Sequence, residues 1–236
     1  SKAYFDLKSL VIKGDDTVAI KWQLGTKFKN AEIRYQDPSG KKTEIYKGPV
    51  PIKAGGEYQA MLYQGEKLLS VVKQEFNVGP GTGAGIMLSK PASSRYPGDG
   101  PFTLVNGVIN TKGTGRSKEF LGFSGDDCEA ILETGKAGKM AEVTVHALDQ
   151  KGSWIWKPAS VEVFASEDGE HWKSLGSVSD FKPVPATVGN GTISVRFPAA
   201  AYMFLKVSIR NQGNIPDGFP GAGNKAWLFV DEIELR

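Results

Sequence analysis

The sequence predicts an all-β chain, a small immunoglobulin- or fibronectin-like sandwich followed by an eight-stranded jelly roll. Apolar and polar side chains alternate with a period of two in short runs such as 17–22 and 161–164, the pattern of half-buried strands. Turn residues recur at spacings of about ten residues, as in sandwich folds. No stretch carries the periodicity of a long helix.

Residues 1–78 form the first predicted unit. Thr17-Val18-Ala19-Ile20-Lys21-Trp22 follows the turn Gly14-Asp15-Asp16 and is answered by Glu32-Ile33-Arg34-Tyr35. Asp37-Pro38-Ser39-Gly40 is a turn written in Pro and Gly. Residues 50–52, 57–63 and 68–78 continue the rhythm, with Gln64-Gly65-Glu66 as a further turn. Trp22 and Tyr35 are expected in the core. Residues 79–85, G-P-G-T-G-A-G, read as a linker, because four glycines and a proline pack no core of their own. A phosphate-cradling loop is disfavoured, since no Gly-Lys-Ser/Thr follows.

The second predicted unit spans 86–236, with strands at 130–132, 141–147, 161–164, 192–197, 204–209 and 227–235 separated by long loops. Its organising stretch is 153–176. Val161 and Val163 face one way, Glu162 and Phe164 the other, and Ser166-Glu167-Asp168-Gly169 supplies a tight turn. Trp172 opens the returning strand of this hairpin.

Composition bounds the function. The 236 residues are 40% hydrophobic and 23% charged, ordinary for a globular chain. The net charge is +3, and no Lys/Arg stripe supports nucleic-acid binding. Cys128 is the single cysteine, so there is no internal disulfide or thiolate zinc site; it is expected buried. No apolar run reaches 18 residues, so membrane insertion is not expected. With no leader-like segment at its start, the sequence reads as a mature fragment in which Ser1 is an added residue.

The order of Ala31-Glu32-Ile33-Arg34-Tyr35, a turn, Pro49-Val50-Pro51-Ile52-Lys53-Ala54 and Tyr58-Gln59-Ala60 resembles the small sandwich that follows the catalytic barrel in β-hexosaminidases and chitobiases. Lys90-Pro91-Ala92-Ser93-Ser94-Arg95-Tyr96, Leu104-Val105-Asn106-Gly107, residues 120–127, the S-E-D-G-E-H-W turn and residues 226–233 resemble the discoidin or coagulation-factor C-type domain, a galactose-binding-like jelly roll appended to such enzymes. Together the two resemblances cover nearly the whole chain.

The resemblance implies an accessory fragment of a secreted, periplasmic or cell-surface glycoside hydrolase, without its barrel. Those barrels carry an adjacent Asp-Glu pair preceded by His and glycines. Here Asp231-Glu232 is the only Asp-Glu dipeptide, without glycines or His beside it. As adjacent residues of a predicted terminal strand, the two point to opposite faces and are not expected to share one site as cooperating acid and base. His146 and His171 have no Ser or Cys partner in a recognisable motif, so no triad is expected. The resemblance also implies a structural calcium near the first loop and last strand, matching Asn106, Gly107, Thr111 or Thr114, and Glu232. These are oxygen donors of the kind calcium takes, although Asn106 replaces the Asp often found there.

A sugar site needs an aromatic face and planar polar groups. Trp154, Trp156, Phe219 and Trp227 are the candidate platforms; Arg116, Asn214, Asp217 and Asn224 are the polar partners. Loop 210–226 is the preferred site, with Phe219 either a platform or a cover for the sandwich end. Trp156, Trp172 and Trp227 are expected to pack. The expected partners are an N-acetylhexosamine- or galactose-type glycan and the missing catalytic domain; the alternative is a structural module bracing the barrel, without sugar binding.

Overall fold

The structure, a computed structural model, describes residues 7–135 and 137–236; the reading of Ser1 lies outside them. The chain is all-β and divides into two units, Ser1–Val78 and Gly79–Arg236.

The first unit contains β1 (Leu7–Asp15), β2 (Val18–Thr26), β3 (Glu32–Gln36), β4 (Thr43–Ile45), β5 (Val50–Ile52), β6 (Gly56–Gln64) and β7 (Lys67–Phe76). They form sheets ordered β1-β2-β5 and β4-β3-β6-β7. Seven antiparallel strands in sheets of three and four match the strand number of a constant-type immunoglobulin sandwich. Trp22 of β2 is fully buried. Its ring meets Tyr58 and Phe76 of the facing sheet edge-on, at centroid distances of 6.1 and 6.0 Å, the geometry ring quadrupoles favour. Its indole N–H donates to Ser9 Oγ at 2.7 Å, so the core keeps no orphaned donor there. Tyr35 is only half-buried, at the margin of the core, where its hydroxyl donates to Glu44 at 2.7 Å.

The second unit contains β8 (Gly85–Leu88), β9 (Gly98–Pro101), β10 (Leu121–Ser124), β11 (Cys128–Glu133), β12 (Lys139–Leu148), β13 (Ser160–Ser166), β14 (Lys173–Val178), β15 (Lys182–Pro183), β16 (Asn190–Ala201), β17 (Phe204–Arg210) and β18 (Trp227–Leu235), with short 3-10 turns at Phe102–Val105, Gly113–Glu119 and Lys151–Ser153. Its sheets run β10-β18-β12-β16-β15 and β14-β13-β17-β11-β8. Eight strands make the body of this sandwich; short β8 and β15 extend one edge of each sheet. Alternation does what the sequence asks: Val161 and Val163 of β13 join Val143 and Val145 of β12, Val207 of β17 and Ile233 of β18 in one core, while Glu162 and Phe164 are only half-buried on the other face.

Residues 79–84, expected as a linker, are packed into the second unit. Gly83 N–H donates to the Val105 carbonyl at 2.7 Å. A β-carbon at Gly81 would stand 2.7 Å from Leu235 Cγ, so a side chain is excluded there by close packing.

Candidate functional site

Three connections meet at one end of the second unit. Residues 149–159 join β12 to β13, and residues 211–226 join β17 to β18. The Gly113–Glu119 turn lies beside the first of these, with Thr114 Oγ1 donating to Gln150 Oε1 at 3.2 Å. Loop 211–226 is closed on itself by Ile215 N–H to the Asn224 carbonyl (2.8 Å), Gly223 N–H to the Ile215 carbonyl (2.9 Å) and Ala226 N–H to the Gly213 carbonyl (2.8 Å). Ile215 and Ala226 bury themselves against Trp156, giving a polar, glycine-rich loop an apolar anchor.

Two aromatic side chains remain open on this anchored loop end, Trp154 at 39% exposure and Phe219 at 41%. Trp154 has a left-handed backbone, φ +63°, uncommon for a bulky residue. Its N–H donates to the Lys151 carbonyl at 3.0 Å and its carbonyl accepts from Trp227 N–H at 2.8 Å, which holds the backbone from which the indole projects. That indole lies against Gly221. Phe219 stands edge-on to Trp156, centroids 4.9 Å apart, and the Lys151 ammonium sits 5.0 Å from the Trp156 ring centre and 5.2 Å from that of Phe219. Trp154 and Phe219 therefore flank the same turn, 219–221.

The polar candidates divide. Asn214 and Asp217 are exposed on the loop. Asn224 Nδ2 donates to the Gly221 carbonyl at 3.0 Å, bracing the turn under Trp154. Arg116 is exposed on the Gly113–Glu119 segment, which meets the 149–159 connection through Thr114 and Gln150. Trp156 is buried, and Trp227 is half-buried against Tyr96 at 5.2 Å, both packing as expected. Trp172 is half-buried beneath the Lys206 ammonium, 4.8 Å from its ring centre.

Beneath the neighbouring 106–119 segment lies a buried carboxylate pair. β18 is irregular there: His146 pairs with Glu232 and Ala147 with Val230, leaving Asp231 as an extra residue, a bulge. Val230 and Ile233 both belong to the core, so Asp231 and Glu232 lie together off the core face. This corrects the expectation of opposite faces, which holds only for an unbroken alternation. Glu232 accepts Gly107 N–H at 3.2 and 3.3 Å. Asp231 Oδ2 accepts Asn110 N–H at 2.7 Å, while Asp231 Oδ1 is buried without a hydrogen-bond partner. Asn110 donates onward to Glu119 at 2.7 Å and receives Asn190 Nδ2 on its carbonyl at 3.0 Å. Burial pushes the Asp231 carboxyl up to about 7; burial, then the charge of Asp231, raises Glu232 well above the usual carboxylate range.

Of the expected calcium donors, the structure joins Gly107 to Glu232, through an amide nitrogen rather than a carbonyl. Asn106 Oδ1 accepts Val108 N–H at 2.8 Å, Thr114 is on Gln150, and Thr111 is exposed. Among the described residues no three His, Cys, Asp or Glu side chains cluster as a metal cage. The hard-oxygen chemistry of Asp231 and Glu232 nevertheless fits calcium, and the orphaned Asp231 oxygen is the observation that favours a cation there.

No family model and no curated protein matches this sequence. Similar solved structures include chitosan-binding module 1 of a chitosanase/glucanase from Paenibacillus sp. IK-5, with 11% identity over 68% of this chain and 99% of that one, TM-score 0.42. CpGH89CBM32-5 from Clostridium perfringens, in complex with GalNAc-β-1,3-galactose, has 14% identity over 64% and 94%, TM-score 0.41. The C-terminal domain of a chitobiase from Bacteroides fragilis has 20% identity over 64% and 92%, TM-score 0.35.

Both histidines already have carboxylate partners, His146 on the neighbouring strand β18 and His171 within its own turn. His146 Nε2 is 2.9 Å from Glu234, and His171 Nδ1 is 2.7 Å from Asp168. A larger concavity of about 430 Å³ lies under the β13–β14 hairpin, at the end of the sandwich away from loop 211–226, because Ser166 pairs with Phe204 while Ser160 pairs with Arg210. Asp168 in its wall is already engaged by the hairpin's own amides at Glu170 and His171. Sequence reasoning missed Lys151, Gly221 and Asn110, and set Asp231 apart from Glu232 although the bulge brings them together. The Pro220-Gly221 step was a visible turn signal; Lys151 and Asn110 carry no local mark.

Proposed function

We propose that this chain is a non-catalytic accessory region whose second unit binds carbohydrate at the Trp154–Phe219 surface. The observation that carries the reading is the pair of exposed aromatic side chains flanking turn 219–221, one of them held in a left-handed backbone. A hydrogen-bonded, apolar-anchored loop presents them rigidly, so little ordering cost is left for the sugar. Asn214 and Asp217 supply planar polar groups for hydroxyls, with Arg116 on the adjoining segment. The sequence resemblance supports a β-N-acetylhexosaminidase or chitobiase parent, exported to the periplasm, cell surface or medium, and an N-acetylhexosamine or galactose-type glycan. Calcium at Asp231 and Glu232 would be structural, neutralising two buried carboxylates beneath the 106–119 segment.

The test is an NMR titration with N-acetylglucosamine, N-acetylgalactosamine, galactose and short chitooligosaccharides, with and without calcium. Expected are shifts at Trp154, Phe219 and residues 214–224, at affinities on the order of millimolar, lost in Trp154→Ala. A second reading, a brace for the catalytic barrel, is favoured by the edge-on packing of Phe219 against Trp156. Absence of shifts at roughly ten times that concentration would leave the brace as the better account.

A further inference from the structure

We propose that the sugar taken at the Trp154–Phe219 surface is anionic, a uronic acid or sulfated residue; this rests on the carbohydrate reading above. The argument is one of charge placement. Residues 79–236 hold 16 basic and 17 acidic side chains, close to balance, yet the three connections around the platform are strongly cationic. They carry Lys112, Arg116, Lys118, Lys151, Lys157 and Lys225, none of which forms an ion pair among the described residues. Several other cations of the unit are matched: Lys90 with Asp126 at 3.1 Å, Arg196 with Glu142 at 2.6 Å and Arg210 with Asp127 at 2.7 Å.

Acidic side chains at this end do not restore balance. Glu119 is engaged by Asn110, Asp149 accepts Lys157 N–H at 3.3 Å, and of the exposed carboxylates Asp126 is paired with Lys90 at 3.1 Å, which leaves Asp217. Lys151 is the focus, because its ammonium rests over the Phe219 ring of the platform and over the buried Trp156 ring behind it and has no carboxylate partner among the described residues. A cation held by ring faces and left without a counter-anion is poised for a ligand carboxylate or sulfate. The surrounding unpaired charges add a field that raises the local concentration of polyanions. A neutral hexose would leave all of this unused. Nucleic acid would use the charge but needs stacking for successive bases along a groove, and two aromatic side chains flanking one turn do not make one.

The experiment compares an oligogalacturonate, a neutral galactooligosaccharide of equal length and a short single-stranded oligodeoxynucleotide by calorimetry, at about 0.05 and 0.5 M salt. Expected is a uronate preference of about tenfold at low salt that shrinks at high salt, narrows in Lys151→Met and disappears with all binding in Trp154→Ala. Neutral sugar bound as well as uronate would overturn the anionic inference and leave the carbohydrate reading standing. Oligonucleotide bound as tightly as uronate, and unaffected by Trp154→Ala, would overturn it in favour of an unselective anion surface. No binding of either sugar would sink both readings together.

Discussion

The indole of Trp154 lies so close to Gly221 that a β-carbon there would stand 2.5 Å from its Nε1. Gly221 also has φ +83°, where only glycine is comfortable. Gly221→Ala is therefore expected to push the indole off the turn and strain the backbone, at about 1–3 kcal/mol. Because the turn itself is separately anchored by Ile215, the unit should still fold. Denaturant melts would read the stability loss and tryptophan fluorescence the displaced ring; an unshifted emission spectrum in a folded variant would count against the packing of Trp154 on Gly221.

Asp231 supplies a pH signature. Its carboxyl titrates near 3.8 when free and at about 7 when buried. Below about pH 4 both folded and unfolded chains hold the proton, so the group contributes nothing. Between those values the unfolded chain releases it while the folded chain keeps it, so stability falls as pH rises across the window and levels off above about 7. At 1.36 kcal/mol per unit the ceiling is about 4 kcal/mol. Glu232, raised by the same burial, shifts stability in the same direction. Asp231→Asn should flatten part of the slope in melts run in chelator, and an unchanged slope would reject the assignment.

Calcium should oppose that slope. A cation binding the deprotonated pair stabilises by mass action, about 2.7 kcal/mol at a hundredfold excess over its dissociation constant, and competes with protons. The melting temperature is expected to rise with calcium more at pH 7 than at pH 5, and less in Asp231→Asn. Equal melting temperatures in calcium and chelator at both pH values would remove calcium from the account.

How much of this was legible depended on whether function followed the local period. β13 announces itself by its alternation, with Val161 and Val163 in the core, and β18 by its dense apolar run Trp227-Leu228-Phe229-Val230. β1 escapes notice because it is an edge strand, with Leu10 at 58% exposure and no sharp alternation to mark it. β10 is four residues long and interrupted by Gly122, and β15 contains Pro183. Loop 211–226 was readable as a site from its glycines and its single Phe. The carboxylate pair was not, because the bulge at Asp231 carries no glycine or proline and shows only in the pairing with His146 and Ala147. Lys151 was hidden for a similar reason: its partners, Trp156 and Phe219, are distant in sequence or reached only through the loop's closure.

The first unit makes a separate prediction. Trp22→Ala removes the ring between Tyr58 and Phe76 and leaves a cavity; such deletions cost about 3–5 kcal/mol, much of the stability of so small a sandwich. Trp22→Phe keeps an aromatic ring but abandons Ser9, and should cost less. Loss of amide protection confined to residues 7–78 in Trp22→Ala would agree; equal protection in the two variants would mean that the ring does not organise this core.

Cys128 offers a clean reporter of the second unit. It is fully buried at the start of β11, opposite Ile209 of β17, and burial, followed by the charges of Asp127 and Glu129, pushes its thiol well above the usual range. A thiol needs its thiolate to react, so the native protein should be inert to a disulfide reagent at about pH 8, near the free-cysteine pKa. One thiol per chain should appear on denaturation, since the sequence holds one cysteine. Its labelling rate then measures opening of the β11–β17 core rather than of the loops. The pocket's apolar character gives a second check: Cys128→Ala forfeits packing alone, whereas Cys128→Ser buries a hydroxyl at about 1–3 kcal/mol. Serine is therefore expected to be the more destabilising replacement. Rapid labelling of the folded chain, or a serine variant more stable than the alanine one, would place Cys128 in a wetter setting than the core between β11 and β17.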